Sequence, residues 1–141
     1  MIVEIRPASW ADDHAPLAAI RRQVFIDEQG VPAELEWDAA DAAALHWLAV
    51  SAGQALGTVR LLADGHIGRM AVLASARRQG IGSALLLAAI ARAAADGLAA
   101  VYLHAQLQAL PFYLTHGFKA EEPVFMDAGI PHRTLRRALI T

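Results

Sequence analysis

At 141 residues, 56% of them apolar, the chain has the length of a single domain, expected over 1–141, and can bury a core without covalent staples. It contains no cysteine, which excludes disulfides, thiolate metal sites and a cysteine acyl-enzyme and fits a reducing cytoplasm, the expected location. A net charge of −2 and a pI near 6.3 speak against nucleic acid as a partner, and no apolar run reaches the roughly 20 residues that a membrane span needs.

Residues 2–6 alternate and read as an opening strand that Pro7 ends. Asp12 or Asp13 caps a helix in which Leu17, Ile20, Val24 and Phe25 recur at helical spacing. Pro32 interrupts it, and 34–44 reads as a short helix or an ordered loop. Strands over 45–50, 55–63 and 66–73 form a meander hinged at Gly53 and at Asp64-Gly65. The alanine- and leucine-rich run after Gly82 is a helix that breaks at Asp96-Gly97 and leads into a strand over 100–104. Pro111 sits in the first turn of the next helix, where its missing N–H does no harm. Strands over 124–128 and 132–138 close the sheet. A meander feeding one strand–helix–strand crossover is an α+β arrangement, and a right-handed crossover leaves its two strands parallel, with their C-terminal ends on one side. No basic stretch precedes an apolar one near the N-terminus, so no leader is expected.

The crossover turn carries the chemistry. Arg77-Arg78-Gln79-Gly80-Ile81-Gly82-Ser83 joins an apolar strand to a helix whose first N–H groups have no intrahelical partner and sit at the positive end of its dipole. Glycines let a phosphate approach that backbone, and arginines add fixed positive charge. A dinucleotide fingerprint fails because Leu85 stands where its third glycine belongs, and a nucleotide P-loop fails for want of a lysine. The same glycines would equally serve a bare strand-to-helix turn. Phe112-Tyr113-Leu114-Thr115-His116-Gly117-Phe118 follows the second crossover strand and faces the same crevice.

Together, Arg77-x-x-Gly80-x-Gly82 and Phe112-Tyr113-x-x-x-Gly117-Phe118 resemble the GNAT superfamily of acetyl-CoA-dependent N-acetyltransferases. The resemblance spans 2–139 and takes in Arg22-Gln23-Val24-Phe25, Glu28-Gln29-Gly30-Val31-Pro32, His104-Ala105-Gln106 and Asp127-Ala128-Gly129-Ile130-Pro131-His132, which are similar to a group of small bacterial members. It implies a mixed, mostly antiparallel sheet of six or seven strands with helices on both faces and one parallel crossover. It also implies acetyl transfer from acetyl-CoA directly to a primary amine, with no covalent enzyme intermediate.

Residue by residue, the resemblance implies that backbone near Ala71, Val72 and Leu73 supplies an oxyanion donor. It assigns the diphosphate to Arg77, Arg78, Gln79, Gly80, Ile81, Gly82 and Ser83, and the pantetheine arm to Gln106, where asparagine is common. Tyr113 falls at the general-acid position; a phenol of pKa about 10 matches a thiol of about 8.5 with a small mismatch. The alternative for Tyr113 is a packed aromatic whose hydroxyl is satisfied locally. Many members place a glutamate where this chain has Gly68, so the base that takes the amine proton is open among Glu28, Glu34, Glu36, His104 and an ordered water.

The segment 27–41 carries six acidic residues and no basic one, which either draws in a cationic amine acceptor, with Glu28, Glu34 and Glu36 at its pocket, or is a solvated loop. Trp37 and Trp47 wall that pocket or pack in the core. No His-x-x-x-His pair occurs, so no metal is expected. The expected partners are a small-molecule or peptide amine and, as a homodimer, a second copy. Two other readings stand beside the enzyme: a CoA-binding sensor without turnover, and an acyltransferase like the acyl-homoserine-lactone synthases.

Overall fold

The structure is a computed structural model and describes residues 2–139. Strands β1 (Glu4–Ala8), β2 (Leu45–Ser51), β3 (Gln54–Leu61) and β4 (Ile67–Val72) pair antiparallel in that order. β2 is apolar on both faces because each is covered. Trp47 and Ala49 join the cluster under α3 (Ile81–Ala95), and Leu48 joins Leu17 and Ile20 of α1 (His14–Arg21). β5 (Ala100–Gln106), β6 (Lys119–Ala120) and β7 (Phe125–Asp127) all pair antiparallel with β8 (Ile130–Ala138) in a second sheet. Eight strands are present among the described residues rather than six or seven; the unexpected β6 has two residues, too few to show alternation.

Pro7 lies inside β1 rather than ending it, which an edge strand permits because it has a side with no ladder partner. The first helix also differs from expectation. After α1 the turns widen into a π-helix over Arg22–Glu28, which carries Phe25 and Gln29 to the rim of a cavity. Asp13 does not cap with its side chain; it takes Arg6 at 3.1 Å and the Ser9 N–H at 3.0 Å. The 34–44 stretch resolves into α2 (Ala33–Glu36) and a 3₁₀ turn over Ala39–Ala42, held by the Asp38 side chain on the Ala40 N–H.

α3 lies close on the first sheet because Ala89 and Ala93 face it, fully buried, between Leu85, Leu86 and Ile90. Burying Leu85 or Leu86 contributes about 2 kcal/mol each. Gly57 on β3 is part of this fit: a Cβ there would stand 3.0 Å from both Ala71 O and Leu85 Cδ1.

β4 and β5 are parallel neighbours that touch only where they begin, through the His66–Tyr102 bridge and the Tyr102 N–H on Gly65 O at 3.0 Å. Beyond that point they part. The cause lies in β4: Thr58 pairs with Ala71 but Arg60 pairs with Gly68, so Arg69 and Met70 together oppose the single residue Val59. Such a bulge bends its strand. Arg69 there adopts a left-handed φ of +49°, a conformation costing on the order of 1 kcal/mol or more. Its guanidinium is fastened by Leu35 O, Glu36 O and the carboxylates of Glu36 and Asp38, which holds the bulge in place.

Candidate active site

One side of the β4–β5 split is built from main chain. Gly80 is the N-cap of α3 at φ +80°, where any side chain would be strained, and it brings no side chain to fold back on the helix. The first backbone bond of the turn is Ala84 N–H to Gly80 O at 3.1 Å. The N–H groups of Ile81, Gly82 and Ser83 therefore emerge unpartnered at the positive end of a 15-residue helix. A cavity of about 330 Å³ opens over them between Val72, Arg78 and Phe112. Phe112 Cζ lies 3.7 Å from the place a Gly82 Cβ would take, so a larger side chain would press on that ring and fill the space.

Arg78 lines this cradle. Arg77 lines it too, but its Nε donates to Val72 O at 2.9 Å and its two Nη donate to the two Glu28 oxygens at 2.7 Å each. It braces the turn against the π-helix, and its hydrogen bonds hold the Glu28 carboxyl below its ordinary pKa. Glu28 thus meets Arg77 rather than an acceptor.

Along β4 the backbone donors divide. Leu73 N–H bonds to Leu56 O at 2.9 Å, and Ala71, two residues earlier and paired with Thr58, points the same way. By the alternation of the ladder Val72 turns its N–H toward the split, where β5 has already diverged. Of the three expected oxyanion residues, only Val72 has a donor free for that role.

α4 (Leu110–Leu114) follows β5, and its Tyr113 ring meets Phe112 edge-on at 5.0 Å and Phe118 at 6.0 Å. Burial alone pushes the phenol up to about 12, and its hydroxyl has no hydrogen bond to the described residues. The hydroxyl is therefore not satisfied locally.

The other side of the split is built from side chains. A cavity of about 400 Å³ is lined by Arg60, His66, Gly68, Arg69, His104 and Gln106, with Phe25, Val31, Leu35 and Ile130 as its apolar part. His66 and Gly68 share one face of β4, and the Tyr102 bridge sets His104 on the matching face of β5. The His66 ring stacks on Tyr102 at 4.7 Å and meets His104 edge-on at 4.9 Å. Its Nε2 is 3.9 Å from where a Gly68 Cβ would stand. Burial first, then the neighbouring His104, hold the His66 imidazole below its ordinary pKa; burial does the same for His104. His104 Nδ1 lies 3.0 Å from Thr134 Oγ1.

Beneath the cavity three arginines meet three carboxylates. Arg21 holds Glu36 and Asp41 at 2.8 Å, Arg60 holds Asp38 at 2.9 Å and Asp41 at 3.0 Å, and Arg69 holds Glu36 at 3.1 Å. The Trp10 and Trp37 rings lie 5.2 and 5.1 Å from the Arg21 guanidinium, whereas Trp47 is in the core. Removing one member of such a buried network costs about 3–5 kcal/mol. Burial, the largest influence on Glu36, lifts its pKa against the pull of Arg21.

The acidic segment therefore projects little free charge into the cavity. Glu36 is neutralised and buried, Glu28 is on Arg77, and exposed Glu34 on α2 does not line the cavity. The expected attraction for a cationic acceptor finds no free carboxylate of Glu28, Glu34 or Glu36 at the cavity, and among the described residues the carboxylate there that no arginine holds is Asp127 of β7. Gln106 lines the same cavity, where its amide donates to Gln29 Oε1 at 3.0 Å and Gln108 donates to its carbonyl. Gln79 is exposed beside the cradle, and Ser83 lines it. His66, Arg60 and Arg69 went unread in the sequence. Only His66 left a signal, two residues before Gly68 and hence on its face of the strand.

Among the described residues no helix is long and apolar enough to cross a membrane, and no group of three His, Cys, Asp or Glu could hold a metal ion. The family description "acetyltransferase (GNAT) domain" matches residues 10–139. The uncharacterized N-acetyltransferase YjcF of Bacillus subtilis is 41% identical over 118 residues, covering 80% of this chain and 84% of that protein. The crystal structure of an acyl-CoA N-acyltransferase from Pseudomonas aeruginosa superposes with a TM-score of 0.88 at 33% identity, covering 97% of this chain and all of that one. A CoA-dependent acyl-homoserine lactone synthase, BjaI, shares the fold at a TM-score of 0.77, but at 15% identity it shares no more than that; the alignment covers 98% of this chain and 84% of that one.

Proposed function

The chain belongs to the GNAT acetyltransferase family and is an acyltransferase, and from that premise we propose that it moves an acetyl group from acetyl-CoA directly to the amine of an acceptor bound at Gly68. The observation that carries this reading is the pairing of two cavities along one strand. β4 lends Val72 to the main-chain cradle and Gly68 to the histidine-lined cavity, with backbone between them that pairs with β3 but not with β5.

Acetyl-CoA supplies the thioester; the chain supplies the rest. The N–H groups of Ile81, Gly82 and Ser83, with Arg78 beside them, suit a diphosphate. Val72 N–H is the donor for the oxyanion that forms as the amine attacks. His66 Nε2, neutral at physiological pH, accepts the proton that the amine loses, and His104 is the second imidazole within reach of that proton. As the C–S bond breaks, Tyr113 donates its free O–H to the departing sulfur. A phenol at about 12 is a weaker acid than the sequence leads one to expect, but the burial that lifts it lifts a thiolate in the same place too.

The test is thiol release from acetyl-CoA across a panel of primary amines, with mass detection of the acetylated product. Release together with a product heavier by one acetyl group supports the transfer. Tight acetyl-CoA binding without release for any amine would instead leave a CoA-binding sensor.

A further inference from the structure

One buried donor has no part in that chemistry. Arg60 is 3% exposed; its Nη1 is held by Asp38 and Asp41, and its Nε has no partner among the described residues. A buried N–H left unpaired is destabilising, so such groups are seldom without a partner. In the β3–β4 register Arg60 stands directly across from Gly68, so the two share a face. Glycine offers it no acceptor, and a Cβ at 68 would meet nothing nearer than His66 Nε2. Arg60 and Gly68 both line the 400 Å³ cavity. Arg69, beside it on the bulge, bonds through Nε and Nη2 to Leu35, Glu36 and Asp38, and its Nη1 carries no hydrogen bond to the described residues. At this corner three arginines are matched by three carboxylates, and the guanidinium N–H groups left over call for oxygen acceptors; the cavity's further carboxylate, Asp127, comes from β7.

We propose that this corner is a carboxylate site and that the acceptor is a small amino acid, its carboxylate held over Gly68 by Arg60 and Arg69 and its amine set toward His66. Arg60 and His66 both border Gly68, so carboxylate and amine are separated by only one or two carbon atoms, as in an α- or β-amino acid. Phe25, Val31, Leu35 and Ile130 leave an apolar side chain room. A guanidinium fork is matched to the two oxygens of a carboxylate. The inference rests on the amine-acetylation reading for its amine end; the carboxylate end stands on Arg60, Arg69 and Gly68.

Calorimetry on the CoA-free protein tests it with acetylated glycine, alanine, leucine and β-alanine, each against its own carboxamide. At least one acid is expected to bind about tenfold tighter than its amide, which is about 1.4 kcal/mol. In Gly68→Glu the new carboxylate takes Arg60, and the advantage falls to about one. In Arg69→Gln, a substitution at a half-buried position, it falls several-fold. The proposal is overturned if no acid outbinds its amide, or if the preference is unchanged in both variants. Failure of thiol release with every amine would overturn the proposed reaction without moving these binding ratios. Acetylation of amines regardless of a carboxylate, with flat ratios, would remove the carboxylate site alone.

Discussion

The two ends of the β4–β5 split are made of different material. At the α3 end the binding groups are backbone N–H donors, fixed by a left-handed glycine and a helix axis, with one of the two arginines there, Arg77, tied to Glu28. At the Gly68 end the binding groups are side chains, aimed by ion pairs that link α1, α2, β3 and β4. A main-chain site tolerates most substitutions around it but few at its glycines. A side-chain site answers to single changes with altered selectivity.

The sharpest way to break this contrast is Gly82→Val. It should abolish detectable acetyl-CoA binding by calorimetry while the circular dichroism stays native, because the side chain fills the cradle and presses on Phe112. Retained binding would mean that the donor does not rest on those amides. Next in size, Tyr113→Phe should lower kcat by about 10² with the KM for acetyl-CoA unchanged, the usual size for a positioned acid. A matched loss in both constants would make Tyr113 a packing residue.

His66→Asn should cost about tenfold, since His104 stands close enough to take over part of the work. Its pH signature is more telling than its size. The His66 pKa is held below 6.5, so the neutral, proton-accepting form persists as pH falls through that value. In the wild type, kcat at saturating acceptor should stay level past 6.5 and bend only below it, and the variant should shift or lose that bend. A wild-type bend above 6.5 would contradict the role. The smallest effect is expected of Glu28→Gln. An exposed pair contributes about 0–1 kcal/mol, so if Arg77 only braces the turn, the KM for acetyl-CoA moves less than about fivefold. A marked tightening would show Arg77 to be a diphosphate ligand that Glu28 holds back.

The same contrast explains what could be read from the residues alone. The cradle is local: Arg77 to Ser83 are contiguous, and glycine at a strand-to-helix turn has a direct backbone meaning, so the parallel crossover, α3 and the placing of Gly80 and Gly82 were legible. The acceptor side is not local. Arg21 reaches Glu36 across 15 residues and Arg77 reaches Glu28 across 49, so an acidic stretch looked free when its partners lay elsewhere in the chain. The bulge at Arg69 was hidden because no glycine marks its positive φ. The widening of the first helix into a π-helix was equally silent, since its apolar spacing fits either helix over so few residues.

That bare backbone amides hold the donor can be read most directly from backbone amide NMR of the protein titrated with acetyl-CoA. The N–H resonances of Val72, Ile81, Gly82 and Ser83 should shift earliest and furthest, with Arg60 and Arg69 hardly affected. Resonances at 81–83 that stay in place while others move at saturation would contradict it.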